Sequence, residues 1–405
     1  ALEEAYRTVA EEELREGKSL KISIEEGFDR AWDSIRDSNF SSLITCAILF
    51  YFGSSIIRGF ALNLALGILV SMFSAIMLTR TFLNFTTETP LADKLWLWSK
   101  TDNLGSLKKK KTYWNFVKYK NYWLTFAGSC VLISFLLTGI IGLKFGLDFT
   151  GGTMLELKSS IETSTEEING LIESVGGFSP QAVYTSEGSY IIRMKHLSED
   201  EHTQIIEKIK EKLTDLEELR FTTVGPTIGA TLKNKAITAL ILTSIMIVLY
   251  ISFAFRKIPK EFSPWKFGTA AIVALIHDVF IVIGLFVLLG KFGGVEVDAL
   301  FITALLTVMG FSVHDTIVVF DRLRENLKFR KESESLEETT NIALNQTLAR
   351  SINTSVSVLI TTLALLLFGA ESIQMFMLAL TVGIGVGTYS SIFIASFLLV
   401  RWNEK

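Results

Sequence analysis

The chain has 405 residues, of which 49% are hydrophobic and 20% are charged, and its formal net charge is −3. This slightly acidic balance argues against a nucleic-acid-binding protein, which is typically basic. The two cysteines, Cys46 and Cys130, both lie in apolar runs, which excludes a disulfide framework and a cysteine-based metal site. The composition therefore predicts a polytopic membrane protein whose charges are concentrated outside the membrane.

Eight apolar runs are candidate membrane spans because each approaches the length needed to cross a bilayer. We place them at residues 41–58, 60–83, 122–143, 233–255, 266–290, 298–320, 354–369 and 373–400. The first and seventh runs are short. Basic residues cluster near 108–120, 256–260 and 322–331, and eight spans put these three loops and both termini on one side. The excess of lysine and arginine assigns that side to the cytoplasm.

The polar segment at 144–230 then lies on the opposite side of the membrane. Its pattern predicts strands at 153–158, 180–185, 189–195 and 218–224, and helices at 164–175 and 199–214. Ser164, followed three residues later by Glu167, predicts a capping box for the first helix. The order βαββαβ is that of a ferredoxin-like split βαβ domain. Its histidines, His196 and His202, lie on or beside a polar helix and are expected at the surface.

An internal repeat relates the first two apolar runs to the last two. With a shift of 316 residues and no gap, 16 of the 36 positions from Ser41 to Ile76 are identical, including paired glycines and phenylalanines. Apolar composition alone does not place such landmarks in register. Repeats in transporters put the ion site at the interface between the halves. The partner of Asp315 under this shift falls just before residue 1, so the chain reads as the end of one repeat joined to a complete second one.

Asp315 is the most informative single residue, because it lies well inside the apolar run at 298–320 with His314 beside it. An ionisable group in a span costs about 2.5–3.5 kcal/mol on the insertion scale and usually faces a cavity or a partner. Such groups commonly mark ion pathways. We therefore interpret Asp315 as a candidate proton-binding group.

Arg350 and Asp278 are the candidate partners of Asp315, and each has an alternative interpretation. Arg350 precedes the seventh run and either extends to lipid head groups or approaches a carboxylate. A guanidinium that approaches a carboxylate favours its charged form, and withdrawal favours protonation. Asp278, with His277, lies in the fifth run. It is either part of a proton relay or a carboxylate that hydroxyl groups hold in place to fix helix packing.

Two glycine-containing segments have structural interpretations. The sequence from Gly383 to Gly387 lies inside a span and is typical of close helix packing rather than of nucleotide binding. Gly151 and Gly152 follow Asp148 where a span meets the polar segment, and we interpret them as a tight turn or hinge. No nucleophile–base pair or metal-ligand set is apparent in the sequence, so we expect neither enzymatic activity nor a cofactor.

At these residues the chain resembles the SecD/SecF family of protein-export proteins. The segments similar to SecF are Gly146–Gly152 (GLDFTGG), Ala274–Asp278 (ALIHD), His314–Asn326 (HDTIVVFDRLREN) and Arg350–Ser355 (RSINTS). Leu14–Leu20 and Asp37–Asn39 resemble the cytoplasmic end of SecD. The chain thus resembles the end of SecD fused to a complete SecF. Residues 1–11 do not resemble the SecD span expected there, and the large outer domain of SecD is absent from the sequence.

The resemblance implies a division of the chain into six parts. They are a cytoplasmic helical segment (1–40), two spans of the SecD-like repeat (41–83), a basic cytoplasmic linker (84–121), the first SecF-like span (122–143), the outer domain (144–230) and the remaining bundle (231–405), which includes a cytoplasmic helix at 321–352.

The resemblance also implies a function. Family members are related to the resistance-nodulation-division transporters, lie in the bacterial cytoplasmic membrane and use the proton-motive force to promote export. The implied partners are the SecYEG translocon, a SecD-like half, exported preproteins and membrane lipids, without nucleic acid. Asp315 and Arg350 match the proton-pathway aspartate and arginine of the family. A lipid or drug exporter of the same superfamily and a passive translocon scaffold remain as alternatives.

Overall fold

The structure is a computed structural model that describes residues 14, 18–90, 92, 113–159, 163–176, 179–184, 188–213, 215–259, 262–330 and 334–403. The start of the predicted segment 1–40 and most of the linker 84–121, with its lysine run, fall outside these residues. The chain divides into two compact units. The helical unit comprises Ala1–Gly142, Ala239–Leu289 and Leu300–Lys405, and the sheet unit comprises Leu143–Thr238 and Gly290–Ala299.

Helices dominate the described residues. In chain order the α-helices are α1 (Leu20–Phe52), α2 (Ser55–Phe73), α3 (Thr79–Thr87), α4 (Lys120–Ile140), α5 (Leu147–Thr150), α6 (Thr165–Gly176), α7 (Glu199–Lys210), α8 (Pro226–Ala254), α9 (Pro264–Gly293), α10 (Ala299–Lys328), α11 (Leu336–Phe368), α12 (Gln374–Tyr389) and α13 (Ala395–Arg401). Two π-helical turns, Ser74–Leu78 and Ser390–Ile394, join α2 to α3 and α12 to α13. Each of these pairs therefore continues as one helical segment.

Seven helical segments of the described residues are long and apolar enough to cross a membrane. They are Ile57–Thr87, Val117–Ile140, Pro226–Lys257, Pro264–Gly293, Ala299–Lys328, Leu336–Phe368 and Glu371–Arg401. Seven of the eight predicted runs coincide with them. Most of the predicted run at 41–58 is instead the apolar half of α1, which ends at Phe52, and its last residues begin α2. Helix α1 begins with polar turns, which lower its mean hydropathy. The predicted orientation, which depends on an even number of spans, remains a prediction.

The internal repeat is confirmed by the boundaries of the helices. Helices α1 and α11 each have 33 residues, and both the first and the last residues of the two helices differ by the predicted 316 positions. The same shift relates their N-caps, Ser19 and Ser335, whose hydroxyls each accept a hydrogen bond from the backbone N–H three residues later. It also relates the two π-helical turns. The two short predicted runs are thus the second halves of equivalent long helices.

The sheet unit contains the predicted βαββαβ order. Its strands are β1 (Gly152–Lys158), β2 (Gln181–Tyr184), β3 (Ser189–Met194) and β4 (Glu217–Val224). They form an antiparallel sheet with the order β2-β3-β1-β4. Alternate residues of β1 and β3, such as Leu155 and Ile192, are fully buried, and they join Ile168 and Ile172 of α6 and Ile205 of α7 in one core. The period of two along each strand therefore decides which side chains reach the helices.

Candidate functional site

Asp315 lies in α10, the most deeply buried of the candidate spans. Its side chain is buried at 3% exposure, and its Oδ2 accepts a hydrogen bond of 3.0 Å from the hydroxyl of Ser355 in α11. A carboxyl group in this position faces protein rather than lipid, which is the usual condition for an ionisable residue within a span. The contact between α10 and α11 therefore provides Asp315 with a polar environment inside an apolar bundle.

Arg350 and His314 lie close to Asp315. Arg350 stands five residues before Ser355, about 7.5 Å along the axis of α11. Its positive charge is near enough to act on both Asp315 and His314. The His314 ring reaches the backbone of Ser38 in α1. The structure thus brings the three predicted residues together and connects them to the helix of the first repeat.

A small cavity of about 60 Å³ lies beside Arg350. Its lining includes Asp321, Arg322 and Glu325 of α10, and Glu325 forms ion pairs with Arg322 and with Arg30 of α1. Charged side chains thus line the approach to Arg350. Such a lining suits water and mobile protons better than an apolar substrate.

Asp278 and His277 form a second polar cluster in the same unit. Asp278 is completely buried, and its Oδ2 accepts hydrogen bonds from the hydroxyls of Ser312, at 2.6 Å, and Ser390, at 2.8 Å. The other oxygen, Oδ1, lies 2.9 Å from His277 Nδ1, and His277 Nε2 lies 2.6 Å from the Tyr389 hydroxyl. A proton on Nδ1 lets His277 donate to Asp278 while accepting from Tyr389.

The π-helical turn at Ser390–Ile394 positions two hydroxyl groups in this cluster. Ser390 donates to Asp278, and the next residue, Ser391, donates to the Ser312 carbonyl at 2.9 Å. Single π-helical turns are frequent at functional sites because they change which side chains share one face. Ser312, which binds Asp278, lies three residues before Asp315 on α10.

Glycines in α12 allow this close approach, as predicted for Gly383–Gly387. A Cβ atom on Gly383 would lie 2.3 Å from Val308 Cγ2 of α10. One on Gly387 would lie 3.2 Å from Ser312 Cβ and 3.5 Å from Asp278 Oδ2. Larger side chains at these positions would push α12 away from α10. The glycines therefore bring the serines within hydrogen-bonding distance of Asp278.

The predicted turn residues lie within the sheet unit. Asp148 Oδ2 accepts a hydrogen bond of 2.9 Å from the backbone N–H of Ala299, the first residue of α10. Gly151 and Gly152 have φ angles of 70° and 126°, which favour glycine. A Cβ on Gly151 would lie 2.8 Å from Pro226 Cα. The residues thus form the predicted tight turn, while a hinge motion there remains a prediction.

Several residues of the site were missed by the sequence analysis. Ser312, Ser355, Ser390 and Tyr389 each bind one of the predicted residues, yet single serines and tyrosines are common in apolar helices. One observation could have identified Ser390, because the repeat alignment pairs it with an identical residue, Ser74. Ser355 was included in the segment Arg350–Ser355 that resembles SecF, but nothing singled it out there, and no comparable indication exists for Ser312 and Tyr389.

Comparison with known proteins places the chain in a family. The profile of the C-terminal domain of SecD/SecF protein export membrane proteins matches residues 204–405, and that of the SecD/SecF GG motif matches residues 137–160. The SecF translocase subunit of Thermobaculum terrenum is 45% identical over 278 residues, which cover 66% of this chain and 86% of the relative. The SecDF subunit of Bacillus subtilis is 33% identical over 97% of this chain and 54% of the relative.

A solved structure has a similar fold. The crystal structure of SecDF from Thermus thermophilus, titled a translocon-associated membrane protein, matches with a TM-score of 0.80 and 31% identity. The match covers 99% of this chain and 52% of that structure. The chain thus spans about half the length of the SecDF relatives that it matches. These similarities show that the chain belongs to the SecD/SecF family of protein-export membrane proteins.

Proposed function

We propose that the chain is part of an accessory component of the Sec translocon that uses the proton-motive force to promote protein export. Its relatives are named protein translocase subunits, and its helices suit a multi-pass protein of the bacterial cytoplasmic membrane. Because the chain spans about half of the SecDF relatives, the proposal includes a SecD-like half as a partner, together with SecYEG and exported preproteins.

The observation that carries this proposal is the position of Asp315. The carboxyl group is buried between α10 and α11, one hydroxyl group binds it, and Arg350 acts on it from the side of a charged cavity. A deprotonated Asp315 attracts the guanidinium, whereas a protonated one has no charge to attract it. Binding and release of a proton would therefore change the force between the two helices.

Asp278 fits a more static role within the same proposal. Two hydroxyl groups and His277 satisfy its oxygens, which is the arrangement expected of a carboxylate that fixes helix packing. We infer that Asp278 and His277 chiefly hold α9, α10 and α12 in register, and that Asp315 is the group that exchanges protons.

Substitution of Asp315 by Asn tests the proposal directly. Asparagine keeps the size and the hydrogen bond to Ser355 but removes the titration. In membrane vesicles that carry this chain with SecYEG and a SecD-like half, we expect Asp315→Asn to abolish the export that depends on the proton gradient. Asp200→Asn, an exposed change in α7, is the matched control and should have no effect.

Two results decide the outcome of this test. Equal amounts of both variants in the membrane show that insertion is intact, so that loss of export reflects chemistry rather than folding. Full gradient-dependent export by Asp315→Asn would refute the proton-binding role.

Substitution of Arg350 by Lys tests whether Arg350 pairs with Asp315 or only anchors the end of a helix. Lysine keeps the positive charge but lacks the planar set of donors that suits a carboxylate. If Arg350 modulates Asp315, we expect the lysine variant to lose much of the gradient-dependent export. Export equal to wild type would instead indicate that Arg350 only anchors the end of a helix.

Crosslinking distinguishes the export role from the scaffold and exporter alternatives. A photo-crosslinker in the sheet unit should capture a translocating preprotein, and the yield should change when the proton gradient is collapsed. A yield that does not depend on the gradient would favour a passive scaffold. Transport of a lipid or drug without any preprotein contact would favour the exporter.

A further inference from the structure

A second, larger cavity lies in the helical unit, away from Asp315. Its volume is about 360 Å³, near the lower end of the range for ligand pockets, about 300–1,000 Å³. It is formed by α1, by α10 and by the end of α8, where the chain continues as the 3₁₀ turn Phe255–Lys257. These elements meet where the span Pro226–Lys257 ends, so the cavity lies at one end of the bundle.

The walls of this cavity carry more positive than negative charge. Four cations line it, Arg36, Arg256, Lys257 and Arg324, against the two carboxylates Asp33 and Asp37. Arg36 contacts both carboxylates, at 3.1 and 2.9 Å, and Arg324 forms an ion pair with Asp321 of the same helix. Arg256 and Lys257 are exposed at the edge. The positive charge at the exposed edge favours an anion, and guanidinium groups suit the oxygens of a phosphate.

An apolar rim adjoins these charges. The side chains of Phe40 and Phe253 are 47% and 62% exposed, and Phe40 stacks on Tyr250 at a ring distance of 6.4 Å. The Arg256 guanidinium lies 3.9 Å from the centre of the Phe253 ring. Exposed aromatic rings beside cations at the end of a span are typical of the boundary between head groups and hydrocarbon.

We propose that this cavity binds the head group of an anionic phospholipid, with the phosphodiester at Arg36, Arg256, Lys257 and Arg324 and an acyl chain along Phe40 and Phe253. The charges alone would also accept free phosphate, but the adjoining rim gives a lipid additional apolar contact. Basic pockets between membrane helices bind acidic lipid head groups for the same reason.

Native mass spectrometry of the whole chain in detergent tests the proposal. With added phosphatidylglycerol we expect one tightly held lipid, bound at least about tenfold more strongly than phosphatidylcholine. The double variant Arg256→Gln/Lys257→Gln should lose this preference. The control Lys118→Gln/Arg401→Gln removes the same charge elsewhere in the helical unit and should retain it.

A variant that is expected to bind the lipid more strongly provides an independent test. Asp33 is half-exposed and lies near both Arg36 and Arg324, at 3.1 and 3.7 Å. Asp33→Asn removes the carboxylate that competes with a phosphate for these groups, so phosphatidylglycerol should bind several-fold more strongly.

Three results would overturn the proposal. The first is equal binding of phosphatidylglycerol and phosphatidylcholine by the wild-type chain. The second is equal loss of the preference in the two double variants, because that would indicate attraction by net charge alone. The third is displacement of the lipid by inorganic phosphate at comparable concentration, which would assign the cavity to free phosphate.

Discussion

Asp278 and Asp315 are both buried carboxyl groups, but their surroundings differ. Asp278 accepts from two serine hydroxyls and contacts His277, so its bonding capacity is largely used. Asp315 accepts from Ser355 and lies within the influence of Arg350, which lines a cavity. A group that exchanges protons needs a charged partner whose distance from it can change, and it needs a route to solvent. At the scale of single residues, these surroundings are the reason why we propose Asp315 for proton exchange and Asp278 for helix packing.

Tyr389→Phe tests the packing role of the Asp278 cluster. The change removes the hydroxyl that contacts His277 Nε2 and leaves a buried ring nitrogen without that bond. An unsatisfied buried polar group costs about 1–3 kcal/mol, so the thermal unfolding midpoint in detergent should fall. Tyr51→Phe is the control, because Tyr51 is 74% exposed and should tolerate the change. Equal midpoints for both variants would contradict a stabilising contact at His277.

At the scale of elements, the close packing of α10 against α12 depends on single glycines. Gly383→Ala would place a Cβ 2.3 Å from Val308 Cγ2, and such overpacking costs about 1–3 kcal/mol. Gly385→Ala meets nothing nearer than Leu359 Cδ2 at 4.0 Å and should be neutral or slightly stabilising. Thermal unfolding of the two variants gives the comparison.

A rescue confirms the cause of this effect. Val308→Ala removes the methyl groups that the new Cβ would meet, so the double variant Gly383→Ala/Val308→Ala should unfold at a higher temperature than Gly383→Ala alone. A double variant that is no more stable than the single one would exclude a clash at this contact.

The N-terminus of α7 gives the sheet unit a pH-dependent contact. Glu201 accepts hydrogen bonds from the backbone N–H and the hydroxyl of Ser198, which lowers its pKa below the ordinary 4.5. Since the lowered pKa belongs to the folded state, this contact stabilises the helix above about pH 4.5 and is lost as the pH falls through the folded pKa. At the predicted capping box of α6, Ser164 accepts from the Glu167 N–H at 3.2 Å, which is one of the two hydrogen bonds of such a box, while the Glu167 carboxylate pairs with Lys212. The complete capping box at Ser198 and Glu201 was not predicted.

Hydrogen exchange of the whole chain checks this pH dependence. We expect the protection of the α7 amides, corrected for intrinsic exchange, to fall on acidification below pH 4.5. Glu201→Gln should reduce the pH dependence, whereas Glu207→Gln, on the exposed face of the same helix, should preserve it. The same dependence in both variants would assign the effect to other groups.

At the scale of the whole molecule, the repeat explains features that single helices do not. Helices α1 and α11 have equal lengths and equivalent caps, and each is followed by a helix that continues through a π-helical turn. In the second repeat the turn presents Ser390 to Asp278. The first repeat carries an identical serine, Ser74, at the equivalent position. The two halves thus share both the π-helical turn and the serine with which it begins.

Cysteine labelling tests the predicted orientation of the chain. In a background without Cys46 and Cys130, a cysteine at Lys208 should react with an impermeant reagent added to intact cells. A cysteine at Lys118 should react only after lysis, because it lies in a basic segment assigned to the cytoplasm. The opposite pattern would reverse the orientation.

The sequence by itself determined the apolar spans, the βαββαβ order and the repeat, because each depends on periodicity or composition within a short segment. It also gave Asp315, Arg350, Asp278 and His277 as candidate site residues, whose roles remain predictions. It did not determine that the polar residues at the start of α1 and the apolar run that follows them form one continuous helix. Only the tertiary structure decided the partners of the buried carboxylates, since Ser312 and Ser390 lie 34 and 112 residues from Asp278. Such contacts depend on how helices pack and rotate against one another, and no local pattern in the chain encodes that geometry.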